Sequence, residues 1–315
     1  MTARPVPAAL AFVMSASLLH GADAALLNLL MPDAKVVAGV NVDQSVSSPF
    51  GQFLLAQLPT NDPGLAKLMA ATGFDPRRDL HEILTGTDGQ QHGLVLARGN
   101  FDAARIFAAA QAAGGQTVET YSGVQILTGK KTSHPHGLAI LGDSIAIAGD
   151  LDSVHGAIDR RSAASTLIEP ALASQVEQLS GSFDAWSVSI LPLSTLASHI
   201  GSGGNLNDLL NSALLKTIQQ TGGGVKFGDT IQVSAQAVSN SSQNATALAD
   251  VLRFLANMVQ VNAPASSSAA LGALLQNLSV QADGNTVNLT LTIPEKQLED
   301  LVRTAEQNKN TQNKL

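Results

Sequence analysis

Two close histidines, scattered carboxylates and many hydroxyls are the side chains of this 315-residue chain that could do chemistry; it contains no cysteine. His134-Pro135-His136 is the closest histidine pair, with Lys130 and Lys131 just before it. Two imidazoles can begin a zinc or copper site, but a metal centre needs at least a third ligand and groups behind the ligands that orient them. A solvated loop is the simpler reading, so His134 and His136 are the only metal candidates and no cofactor is assigned. His81, His92, His155 and His199 are scattered and show no His-x-x-x-His spacing.

Asp143, Asp150 and Asp152 could offer hard oxygens to calcium. They lack the later bidentate carboxylate of a calcium loop, and helix capping accounts for Asp150 and Asp152 without a metal. Gly123 followed by Gly129-Lys130-Lys131-Thr132 fails as a phosphate loop: its spacing is too long, Lys131 stands where Ser or Thr is required, and no helix follows. Gly222-Gly223-Gly224 likewise reads as a loop. Neither a Gly-x-Ser-x-Gly elbow nor Ser-x-x-Lys is present, and Ser144 sits in a hairpin corner. No catalytic residue is assigned. A hydrolase would have to gather a His, a carboxylate and a Ser from separate segments.

Composition narrows the partners. Charged residues make up 14%, the net charge is -7 and the aromatics are 3%, with Trp186 and Tyr121 the single Trp and Tyr. Such a surface cannot neutralise many phosphates or stack bases, so nucleic acid is excluded as a partner. The 44% hydrophobic content supplies a proper core. Without cysteine there are no disulfides, no thiol catalysis and no lipid anchor on a cysteine.

The elements that must position these groups start with an export signal. Arg4, the apolar run Val6 to Leu19 and the small-x-small Ala22-Asp23-Ala24 predict a signal peptide over 1–24, cut after Ala24, with an uncleaved anchor as the lesser alternative. No membrane span is expected once the signal is gone. The remainder reads as α+β. A strand at 34–42 is followed by helices, with a polar helical stretch around Leu80, Ile83 and Leu84. Next come a strand at 93–98, a helix from Ala103 capped by Asn100 or Asp102, and strands at 116–121, 124–128 and 138–141. Gly142-Asp143 turns into a strand and a helix capped by Asp150 or Asp152. Gly284-Asn285 repeats that pattern, with Pro294 opening the last helix.

Three pairs of segments lie about 140 to 150 residues apart: Val36 with Trp186, Leu94 with Ile231, and Gly142 with Gly284. They predict an N-terminal half over 25–165 and a related C-terminal half over 166–305, with a polar tail at 306–315. Each half is expected to be an antiparallel sheet with helices packed on one face, the product of a tandem duplication, and the two sheets either sit side by side or merge into one larger sheet.

Met31-Pro32-Asp33-Ala34 with its following strand, Ser48-Pro49-Phe50-Gly51, Phe183-Asp184-Ala185-Trp186 and the closing Ile293-Pro294-Glu295 together resemble uncharacterised exported proteins of environmental bacteria, a domain of unknown function. The resemblance implies a periplasmic or extracellular setting and carries no catalytic residues. The expected function is non-catalytic binding or scaffolding in the cell envelope. A carrier of a small apolar ligand or lipid, or a hydrolase with a dispersed site, stands as the alternative; the partner is an unknown protein or a small apolar ligand.

Overall fold

A computed structural model describes residues 21–56, 63–90, 92–129, 135–193, 214–262, 272, 274–300 and 303. Its centre is one antiparallel sheet of twelve strands. They are β1 (Val36–Asn41), β2 (Leu80–Thr87), β3 (Gly93–Gly99), β4 (Thr117–Tyr121), β5 (Val124–Thr128), β6 (His136–Leu141), β7 (Ile145–Asp150), β8 (Ala185–Ser189), β9 (Ile218–Lys226), β10 (Thr230–Ser239), β11 (Leu278–Asp283) and β12 (Thr286–Pro294). Their order across the sheet is β11-β12-β10-β9-β8-β1-β2-β3-β7-β6-β5-β4.

The α+β class and the antiparallel pairing agree with the sequence. Of the two arrangements open to the halves, side by side or merged, the structure has the merged one: β1 pairs with β8 from Val36↔Ser189 to Val40↔Ala185, so the two edges that would otherwise have stayed open close on each other.

Successive side chains of a strand point to opposite faces, so the register assigns each residue a side. One row runs Trp186, Gly39, Leu84, Leu96, Ile147, Ala139, Ile126 and Glu119. Against it pack Leu26 and Leu29 of α1 (Ala24–Leu29), Val154, Ala157 and Ile158 of α7 (Leu151–Asp159), and Leu172 and Val176 of α8 (Pro170–Ser182). This is the core face. The Trp186 ring lies flat over Gly39, where an added Cβ would stand 2.6 Å from it.

The neighbouring row runs Val118, Leu127, Leu138, Ala148, Val95, Thr85, Ala38, Ser187, Gly223, Ala235, Leu289 and Val280 on the second face. At its far end Ala245, Leu248 and Ala249 of α9 (Ser242–Asn262) pack on Val280, Val287 and Leu289. Helices therefore lie on both faces rather than one, because this second row is itself apolar at its ends. Between those ends it is open: Val95 is 46% exposed.

Two sequence readings are corrected. Leu80 to Thr87 is β2 and not a helix, because it hydrogen-bonds to β1 on one side and β3 on the other. Gly222 to Gly224 lies within β9 and not in a loop. A Cβ at Gly224 would stand 2.4 Å from the Phe183 ring and one at Gly223 would stand 2.2 Å from the Ser234 carbonyl oxygen, so close backbone approach demands glycine in this strand. The sequence also predicts helical segments over 193–200 and 206–219; most of both lies outside the described residues, and where the second is described, Leu215–Thr217 is a short 3-10 turn and Ile218 already begins β9.

Candidate functional site

The acidic residues and caps fall where helix physics puts them. Asp150 Oδ1 accepts the Ser153 N–H at 2.9 Å and so caps α7, while its Oδ2 accepts the Gly93 N–H at 2.9 Å and ties β7 to β3. Burial alone would raise the Asp150 pKa, but these donors outweigh it and hold the carboxyl below its usual range. Asp143 adopts φ 57° at the β6–β7 corner, and Asp152 lies in the first turn of α7. No group of three or more potential metal ligands occurs among the described residues. His136 is the first residue of β6, whereas His134 lies outside the described residues.

Three histidines contact carboxylates. His81 Nδ1 is 3.0 Å from Asp43 Oδ1, His92 Nδ1 is 2.8 Å from Asp88 Oδ2, and His155 Nε2 is 2.9 Å from Glu119 Oε1. An oriented His–carboxylate pair is half of a nucleophile-activating device. At the other nitrogen of His81, however, stands the Asn100 amide at 3.1 Å, which is no nucleophile. Tyr121 stacks on His155 with centroids 4.0 Å apart and donates its hydroxyl to Asp159 at 2.8 Å. That phenol is engaged elsewhere.

A polar hollow of about 420 Å³ lies near Asn100 and is lined by Arg78, Asp79, Asp102, Arg105 and Asp143. Its cations are already spent. Arg78 forks onto Asp79 at 2.7 Å, and the hydrogen bonds from this guanidinium hold the Asp79 carboxyl below its usual range. Arg105 pairs with Asp102 at 3.2 Å.

A concavity that gathers apolar walls and polar groups lies on the second face. It is a groove of about 510 Å³ between α4 (Pro63–Thr72), α6 (Ala103–Ala113) and strands β5 and β6. Asp102 caps α6 by accepting the Arg105 N–H at 2.9 Å, and Gly114, at φ 76°, ends the helix. With those ends fixed, Ile106, Ala109, Ala110 and Ala113 recur at helical spacing and form one wall. Lys67 and Ala71, four apart on α4, form another. The floor is Leu127 and Leu138, which face each other across β5 and β6. Alanines where larger side chains would fill the space leave the groove empty of protein atoms.

Four polar side chains complete the lining: Lys67, Gln116, Thr128 and His136. The Thr128 hydroxyl is 2.7 Å from that of Thr117. Lys67, Gln116 and His136 make no side-chain hydrogen bond or ion pair to the described residues. Sequence reasoning singled out His136 for metal and missed Lys67, Ile106, Leu127 and Leu138; the small-residue repeat of α6 was the available signal.

A second depression of about 670 Å³ runs over β8, β9 and β10, past Ala185, Ser187, Gly223, Val225 and Val233, and none of its lining residues is ionisable. No helix of the described residues is long and apolar enough to cross a membrane.

No family model matches the sequence, and no curated protein does. The fold is similar to solved structures of TP0453. Crystal form III superposes with a TM-score of 0.56 at 10% identity, covering 90% of this chain and 98% of that one. For form IV the TM-score is 0.51 at 10% identity, with 89% and 97% covered. At such identity the likeness establishes the fold alone.

Proposed function

We propose that this chain is an exported cell-envelope protein that acts by binding rather than catalysis, and that the groove between α4, α6, β5 and β6 holds a small apolar ligand. The observation that carries the reading is the groove itself: about 510 Å³, apolar on its floor and its α6 wall, with a few polar groups completing the lining. Small-molecule sites typically have this make-up and fall within roughly 300–1,000 Å³. Export is supported by the N-terminal pattern of Arg4, the apolar run to Leu19 and Ala22-Asp23-Ala24. Binding is favoured over hydrolysis by the histidine environments, since the nitrogen of His81 not facing Asp43 meets an amide.

The two halves are inferred to descend from a duplication. Outward from the β1–β8 contact, the order β1-β2-β3-β7-β6 on one side is matched by β8-β9-β10-β12-β11 on the other. Each of the three segment pairs read from sequence falls on matching positions of these series. Among the described residues β4 and β5 have no counterpart on the other side.

The groove reading is tested with Nile red, a neutral dye that brightens in apolar surroundings. The dye is expected to bind the wild type, and Ala110→Phe, which puts a ring into the groove, is expected to lose most of that signal while melting at the wild-type temperature. Equal dye binding by both proteins would remove the groove as the site.

A further inference from the structure

The polar groups around the groove carry more than its volume does. Lys67, Gln116 and His136 border a space whose floor is Leu127 and Leu138, and each is without a hydrogen-bonding or ionic partner among the described residues. Elsewhere the arginines find one: Arg77 is 2.7 Å from Asp75, Arg78 is 2.7 Å from Asp79 and Arg253 is 2.8 Å from Asp250. An ammonium, an amide and an imidazole lining one groove with an apolar floor are all donors of the kind that an anionic oxygen pair accepts from.

Resting on the groove reading, we propose that the ligand is a single-chain carboxylate amphiphile, a free fatty acid. Its alkyl chain lies on Leu127 and Leu138 against the α6 alanines, and its carboxylate sits at the mouth beside Lys67, within reach of Gln116 and His136. The alkyl chain removes apolar surface from water and supplies most of the affinity. The ammonium selects the sign of the head group; being exposed, it contributes a modest increment.

The test compares dodecanoate, dodecanol and dodecylammonium at neutral pH, each below its micelle-forming concentration. Affinities are measured by calorimetry, and methyl NMR locates the ligand, for the wild type and for Lys67→Glu. Dodecanoate is expected to bind the wild type roughly three- to fivefold more tightly than dodecanol, with dodecylammonium weakest. Lys67→Glu is expected to reverse the order of the two charged ligands and leave dodecanol unchanged. If dodecanol matches dodecanoate and Lys67→Glu changes neither, the head-group assignment is overturned and the groove reading stands. If none of the three shifts the Leu127 or Leu138 methyls, both are overturned.

Discussion

The two faces of the sheet are built from the same twelve strands and are used in opposite ways. On the core face Leu84, Leu96, Ile147, Ala139 and Ile126 are inaccessible to solvent, sealed by α1, α7 and α8. On the second face the residue paired beside that row, Val95, is 46% exposed, and among the described residues cover comes from α4 and α6 at one end and α9 at the other. One face holds the fold together. The other can therefore carry an unfilled groove without loss of the core.

The sharpest break of this comparison is a pair of substitutions on adjoining positions. Ile147→Ala empties a fully buried site and should cost about 2–5 kcal/mol in denaturant unfolding. Val95→Ala, on the open stretch, should stay within about 0.5 kcal/mol. Similar losses from the two would mean that the second face is sealed after all.

Next in size is Gly39→Ala. Its methyl group would press on the Trp186 ring, and overpacking of this kind costs about 1–3 kcal/mol. Trp186 fluorescence should shift with it, since the ring must move; an unchanged emission maximum would show that the close approach carries no constraint.

Asp23 tests the core face at its margin. Its carboxylate accepts the Ala25 N–H at 2.7 Å, capping α1, and the Arg98 Nε at 2.7 Å, while its own N–H donates to Glu82 at 3.0 Å. Asp23→Ala is expected to cost about 1–2 kcal/mol. A chain starting at Gly21 should melt above one starting at Ala25, and equal melting temperatures would make these bonds dispensable.

The smallest expected effect is a pH dependence at Asp150, which links β7, β3 and α7 on the sealed side. Its folded pKa lies below the unfolded value of about 3.9. Its stabilisation is therefore complete above that unfolded value and disappears as the pH falls through the folded one. Asp150→Ala should cost about 1 kcal/mol at neutral pH. The gap from wild type should close in strong acid; a gap independent of pH would assign the loss to packing.

Much of the fold was legible in the sequence. Helix caps at Asp102 and Asp150 and alternation in strands such as Val36–Asn41 and Ile145–Asp150 are local signals, and they placed the elements close to their observed bounds. β2 was not legible: Leu80-His81-Glu82-Ile83 has no clean period, and partners on both sides hold it in the sheet. The Asp88-Gly89 corner after it, with Gly89 at φ 79°, was the overlooked turn signal. β9 was obscured because its glycines carry no side chains to show a period, and what demands them is the close approach of the adjoining β10 backbone and of Phe183, which is distant in sequence. The groove is non-local in the same way. Lys67 on α4, the alanines of α6 and Leu138 on β6 meet only through the register of β5 and β6.

The most direct test of the account is methyl NMR of the chain from Gly21 onward titrated with dodecanol. Shifts confined to Ile106, Leu127 and Leu138, with Leu84, Leu96 and Ile147 unmoved, are the result expected of a binding groove on the second face. No shift at the three groove residues, or equal shifts on both faces, would contradict it.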